Sequence, residues 1–197
     1  LGGGVEGLLF DRIVIMGGGN LGLAADTVLG VKGGWDCAAT FSGGKGSVVD
    51  FTGALPLLVS GTTTFANASC TTAGKEISFA DGAKVTVTEN FKTGGQPAAH
   101  VVLKGADADA RWTLDSSAGG AILSSTDVYN CDSVADIVVM GGQGSGNSGT
   151  VSFVNVTPGE TITWTGAKSS AWGDAGNWTT VHDGSRVPVE SDNVVIP

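Results

Sequence analysis

The stretch Glu76-Ile77-Ser78-Phe79-Ala80-Asp81-Gly82-Ala83-Lys84-Val85-Thr86-Val87-Thr88 decides the fold prediction. It holds two short apolar segments, and small residues that tolerate a positive φ separate them. Similar short segments, each bounded by Gly, Asn, Asp or Ser, lie on both sides of it, at residues 13–16, 47–51, 100–103 and 137–140. The pattern predicts many strands of about three to six residues joined by tight turns.

Helices are not expected, because no segment shows a 3.6-residue apolar period over ten or more residues. The best helical candidate, residues 20–26, is too short and lies among glycines. Two all-β architectures fit: a parallel β-helix of stacked short strands, and a β-sandwich or jelly roll. We favour the β-helix because its turns, of about 20 residues, fit the short segments and because Asn-Gly hairpin signals are missing.

Composition narrows the functional classes. Of 197 residues, 33 are Gly, 41% are hydrophobic and only 15% are charged, and no Gly-X-Y period of the collagen type is present. The net charge is −9, and the ten basic residues are spread thinly, which argues against nucleic-acid binding. No apolar run has the length of a membrane-spanning helix. The chain begins Leu1-Gly2-Gly3-Gly4 without Met, which indicates that a leader has been removed or that the chain is a segment of a larger protein, and we favour a combination of the two.

Three cysteines are present, and none forms a Cys-x-x-Cys pair, which argues against a zinc site. In an oxidising compartment, an odd number leaves one thiol free or bonded to another chain. Two interpretations stay open: a disulfide between Cys37 and Cys70, or three small buried hydrophobic residues. The state of Cys131 is not predicted.

The C-terminal part concentrates three of the five tryptophans, Trp164, Trp172 and Trp178. They are followed by a polar turn at 190–193 and an apolar strand, Val194-Val195-Ile196. We divide the chain into a β-helical or β-rich body, residues 1–160, and a Trp-rich segment, residues 161–197. The second segment is expected to pack on, or continue into, a neighbouring subunit.

This segment, with Trp164-Thr165-Gly166, Trp172, Asn177-Trp178 and Val187-Pro188, resembles the opening of a repeat in very large secreted bacterial β-helical, adhesin-like surface proteins. Residues 74–82, 85–87, 91, 101–105, 111–114 and 125–128 resemble the other end of the same repeat. Their order here is reversed, so the chain looks like a circular permutation of that unit. The resemblance covers roughly residues 60–130 and 162–197. It implies an extracellular location and a structural or adhesive role, and it carries over no catalytic residues.

Candidate chemistry is sparse, and we expect no enzymatic activity. Asp107 and Asp109 alternate in a loop and could chelate Ca²⁺, although a solvated turn is the simpler interpretation; no other cofactor is expected. His100 and His182 are far apart in sequence, and no Gly-x-Ser-x-Gly elbow accompanies them. Trp172 lies in a small polar loop and could form a platform for glycans, whereas Trp164 and Trp178 are expected to pack.

The sequence thus predicts an extracellular structural protein, a subunit or repeat of a filament, stalk or surface array. Its partners would be copies of itself, joined head-to-tail through β-strands. The residues expected at this interface are Leu8, Phe10, Ile13, Ile15, Val194, Val195 and Ile196. The alternative is a carbohydrate-binding or adhesive module that uses Trp172.

Overall fold

The structure is a computed structural model, and it describes residues 8–154, 161–180, 185, 187–188 and 193–197. The chain divides into two compact units, Leu1–Val154 and Asn155–Pro197. Strands make up 57% of the described residues, which contain no α-helix. The strands of the first unit are β1 Leu8–Ile15, β2 Asn20–Leu23, β3 Val28–Cys37, β4 Thr40–Gly43, β5 Val48–Phe51, β6 Leu57–Cys70, β7 Glu76–Phe79, β8 Ala83–Gly94, β9 Val101–Gly105, β10 Trp112–Asp115, β11 Gly120–Ser124, β12 Thr126–Val128, β13 Cys131–Ser133, β14 Ile137–Met140 and β15 Val151–Val154.

The first unit is a parallel β-solenoid of about six turns, which confirms the β-helix prediction. The named strands of this unit pair in parallel, whereas the sandwich alternative requires antiparallel ladders. The helical candidate at 20–26 instead contains strand β2, which pairs with β4. Tertiary pairing along the stack therefore decides the structure of this segment.

Three stacks of strands form the walls of the solenoid. The first stack contains the start of β1, the start of β3, β5, and later strands as far as β15; Leu8, Leu29 and Val49 align in it. The second contains the end of β1, the end of β3, the start of β6, β7, β9 and β12. The third runs from β2 and β4 through the middle of β6 to β8, β10 and β13.

Inward-facing side chains form one continuous core. Trp35 and Phe65 are fully buried and meet edge-to-face with ring centroids 5.1 Å apart, and Phe41 and Phe51 pack around them. Further along, Phe79 and Trp112 stack at 3.8 Å. Edge-to-face and stacked rings add to the hydrophobic stabilisation that burial of these large side chains provides. In the short apolar segments predicted from the sequence, such as β5 and β7, every second residue points into this core.

All three cysteines are buried free thiols, so of the two interpretations that the sequence left open, the Cys37–Cys70 disulfide is not formed in this structure. The two residues lie in different stacks: Cys37 aligns with Ile15 and Gly61, whereas Cys70 aligns with Thr93. Gly61 shows how tightly the wall is built around Cys37. Its φ is +76°, and a Cβ there would lie 1.9 Å from the Cys37 carbonyl oxygen, so only glycine fits.

The second unit has a small sheet of its own. Its strands are β16 Thr161–Trp164, β17 Trp178–Thr179 and β18 Asn193–Val195, and a 3₁₀ turn at Ala175–Asn177 precedes β17. β16 is central, antiparallel to β17 and parallel to β18. Ile162 and Trp178 are its buried apolar residues among those described.

Candidate functional site

The N-terminal turn of the solenoid, formed by β1 and β2, has an open side. Within the described part of the chain, β1 pairs only with β3, and β2 pairs only with β4. The backbone N–H and C=O groups on the outer edges of these strands therefore face away from the stack. Such an edge is a template for another strand.

Core-facing side chains are exposed on this turn. Leu8 and Phe10 align with Leu29 and Val31 in the next turn. Leu29 and Val31 are 4% and 0% exposed, whereas Leu8 and Phe10 are 59% and 42% exposed. Side chains at aligned positions of parallel strands point to the same face, so the described residues leave the core of the solenoid uncovered at this end.

Burial increases along β1. Ile13 is half-buried and Ile15 is buried, although both were predicted at the interface with Leu8 and Phe10. They belong to the second stack, where Trp35 and Cys37 cover them from the next turn. The uncovered surface is therefore centred on Leu8 and Phe10. Leu9 lies between them on the outer face of β1 and is also exposed, by 54%.

The predicted C-terminal interface residues lie on or beside β18. This strand has a partner in its own unit, because Ile162 aligns with Val194 and Thr163 with Val195. Its other edge has no strand beside it within the described residues. Val194, Val195 and Ile196 are 40%, 44% and 62% exposed. β18 is thus a second apolar edge strand, and one of its two edges is already paired with β16.

A tryptophan cluster, Trp164, Trp172 and Trp178, lies in the second unit. Trp178 is buried, as expected, and meets Trp164 and Trp172 edge-to-face at 4.7 and 4.5 Å. Its indole N–H also donates to the Trp172 carbonyl at 2.8 Å. Trp172 nevertheless keeps 52% of its surface exposed. An exposed indole that packs against Trp178 is therefore present at the position suggested as a glycan platform.

Asn177 organises the loop that carries Trp172. Its side-chain oxygen accepts from the N–H groups of Lys168 and Ser169 at 2.8 and 2.7 Å. Its amide nitrogen donates to the Ser169 hydroxyl and the Ala171 carbonyl. The residue is completely buried and makes four hydrogen bonds, which explains the Asn-Trp pair of the motif.

The aspartates suggested for Ca²⁺ are not grouped with a third His, Cys, Asp or Glu side chain in the part of the chain that the structure describes, and the site stays a prediction. Asp107 and Asp109 are exposed in the loop between β9 and β10, and the Asp107 carbonyl accepts from Ala110 as in a simple turn. Among the described residues, no three His, Cys, Asp or Glu side chains are grouped as metal ligands. The solvated turn is the interpretation that this geometry supports.

The histidines are not brought together by the described structure. His100 Nδ1 lies 2.8 Å from Asp127 Oδ1, and Asp127 also accepts from the Gln143 N–H. His182 lies outside the described residues. The His100–Asp127 contact bridges neighbouring turns, because Val101 aligns with Thr126.

Several polar contacts between different turns of the solenoid were not predicted from the sequence. The Gly46 N–H, and then the Asn67 amide, hold the pKa of Glu89 below its usual value. Arg111 lowers the pKa of Asp132 in the same way through its guanidinium, which also donates to the Gly146 carbonyl. These side chains meet only after the chain has wound into turns, so spacing in the sequence gives no signal for them.

No helix in the described part of the chain is both long enough and apolar enough to cross a membrane.

Comparisons with known proteins do not place the chain in a family. No protein-family model, curated protein or solved structure matches the chain. Functional inference therefore depends on the two open edges and the tryptophan cluster.

Proposed function

We propose that the chain is an extracellular structural protein, a subunit or repeat of a filament, stalk or cell-surface array assembled head-to-tail. Its likeness to a permuted repeat of secreted bacterial adhesin-like proteins belongs to the same proposal. The observation that carries the proposal is the uncovered N-terminal turn, where core-facing Leu8 and Phe10 are exposed. No enzymatic activity is assigned.

A second copy is the occupant that the described surfaces favour. The chain offers two apolar strands with an open edge, β1 on the solenoid and β18 on the second unit. Addition of β18 from one copy to β1 of the next would satisfy backbone groups on both edges and cover apolar side chains on both. Because the two surfaces differ, the contact is heterologous and propagates rather than closing into a dimer.

Paired variants test this arrangement. Phe10→Lys places a charge on the uncovered core, and Val195→Lys places one on β18; either change should block assembly at one surface only. Ile122→Lys is the matched control, because Ile122 is 48% exposed on β11, a strand paired on both edges by β8 and β14. Sedimentation velocity should show large species for the unmodified chain and the control, and monomers for each blocking variant.

Sedimentation velocity of a mixture of the two blocking variants is the decisive measurement. Phe10→Lys keeps an intact β18 and Val195→Lys keeps an intact β1, so one contact can form between them. A head-to-tail interface therefore predicts dimers in the mixture and monomers in each separate sample. Monomers in the mixture, or assembly that survives both substitutions, would contradict the proposal.

A second candidate function is glycan binding, which the exposed Trp172 indole favours. Trp164 and Trp172 lie nearly parallel, 6.1 Å between ring centroids, and Trp178 packs edge-to-face against both. Indole faces carry negative electrostatic potential and attract polarised C–H groups, such as those of a pyranose ring. Trp172→Ala should abolish retention on a glycan array, while Trp172→Phe retains part of it. Equal retention by the Ala variant would exclude this site.

A further inference from the structure

Lys75 is a buried cation inside the solenoid wall, and neither proposed function uses it. Its exposure is 0%, which is rare for lysine unless it is paired. The side-chain amine donates to the carbonyl oxygens of Lys32 at 2.6 Å and Thr52 at 3.0 Å. The Leu55 carbonyl is its third acceptor. Among the hydrogen bonds and ion pairs of the described residues, Lys75 has no carboxylate partner.

The three acceptors come from two successive corners between the first and second stacks. Lys32 lies within β3, where the chain passes from one stack to the other, and Thr52 and Leu55 lie in the connection from β5 to β6. Lys75 itself lies in the equivalent corner of the following turn, just before β7. Its side chain therefore runs along the stack and ties three consecutive corners together.

The three carbonyl oxygens around the Lys75 amine have the chemistry of a small cation site. An unpaired buried ammonium is costly, and here carbonyl dipoles, which favour the charged form, replace its hydration. Burial alone lowers the pKa of Lys75 from its usual value. Without the ammonium, the three carbonyl groups that converge on it would lose the donor that they share.

We propose that the carbonyl oxygens of Lys32, Thr52 and Leu55 form a binding site for a primary ammonium ion, which Lys75 occupies with its own side chain. The inference is independent of the head-to-tail assembly. It assigns the solenoid an internal cation that fixes the corners of the turns directly behind the open N-terminal turn. A variant that lacks the side chain has an empty site of matching shape and charge.

Chemical complementation tests the site. Lys75→Ala removes Cγ, Cδ, Cε and Nζ, which n-propylammonium replaces atom for atom. The thermal midpoint of this variant should rise saturably with n-propylammonium chloride. It should not respond to tetramethylammonium, which lacks N–H donors, or to 1-propanol, which lacks the charge. The unmodified chain, whose site is filled, and the surface variant Lys92→Ala should show no specific response.

Lys75→Met separates charge from packing. Met fills the space of the side chain but donates no hydrogen bond, so this variant should lose stability and gain nothing from n-propylammonium. If Lys75→Ala does not fold alone, recovery of its β-sheet circular dichroism on refolding with n-propylammonium, compared with tetramethylammonium, replaces the thermal measurement. An equal response to all three compounds, or no response, would overturn the proposal. So would a Met variant as stable as the unmodified chain.

Discussion

Replacement of Asn177 by Ala should unfold the loop that carries the tryptophan cluster. The substitution removes four hydrogen bonds from a completely buried residue. At about 1 kcal/mol for each bond, the loss is about 4 kcal/mol. A unit as small as Asn155–Pro197 has a total stability of about 2–6 kcal/mol, so the loss is comparable with the whole.

Indole N–H resonances in ¹H–¹⁵N spectra provide the assay. The Trp178 resonance should lose the shift caused by its hydrogen bond to the Trp172 carbonyl, and the resonances of Trp164 and Trp172 should move with it. Asn147→Ala is the matched control, because Asn147 bonds the Cys131 N–H and the Val128 carbonyl in the first unit. Unchanged resonances of the cluster in Asn177→Ala would refute the assignment of Asn177 as its organising residue.

Three further predictions concern the solenoid. Phe65→Ala, at the fully buried centre of the aromatic cluster, should lower the free energy of unfolding by about 3–5 kcal/mol in urea titrations, and a loss below 1 kcal/mol would contradict the packing. Burial raises the pKa of Cys70 to about 11 and of Cys131 to about 12, so neither thiol should react with iodoacetamide at pH 8 until the chain unfolds; labelling of the folded chain would argue against the buried positions. Arg111 lowers the pKa of Asp132 below its ordinary value of 3.8. The stability that the unmodified chain has over Asp132→Asn should therefore be fully present above pH 3.8 and lost as the pH falls through the folded-state pKa. A stability difference that does not change on acidification would refute the pairing.

The β-helix architecture and most of the short strands could be predicted, because alternating apolar residues and turn residues are local signals. Strands β1, β3, β6 and β8, with 8, 10, 14 and 12 residues, are longer than the predicted three to six, because each continues through a corner from one stack to the next. Segments such as Val85-Thr86-Val87 alternate inward and outward, and their apolar residues fill the core as the pattern indicates. Leu8 and Phe10, which the sequence predicted at the interface, are exposed in the structure, and their role in assembly stays a prediction. Burial of Ile13 and Ile15 could not be predicted, because it depends on cover by Trp35 and Cys37 from the next turn.

Sites made from different turns could not be predicted. The acceptors of Lys75 are backbone carbonyls, which carry no residue-specific signal, and a lysine between Gly74 and Glu76 looks like a surface turn. The role of Asn177 was equally hidden, since its partners Lys168, Ser169 and Ala171 converge on it only when the loop closes. Hydrophobic periodicity reports which side of a strand is buried, but it does not report which polar groups meet there.

Negative-stain imaging of the purified chain, with the Phe10→Lys variant beside it, tests the central claim most directly. An uncovered solenoid end that binds the next copy predicts filaments for the unmodified chain that lengthen with concentration, and isolated particles for the variant. Isolated particles of the unmodified chain at every concentration, or filaments that persist in Phe10→Lys, would contradict it.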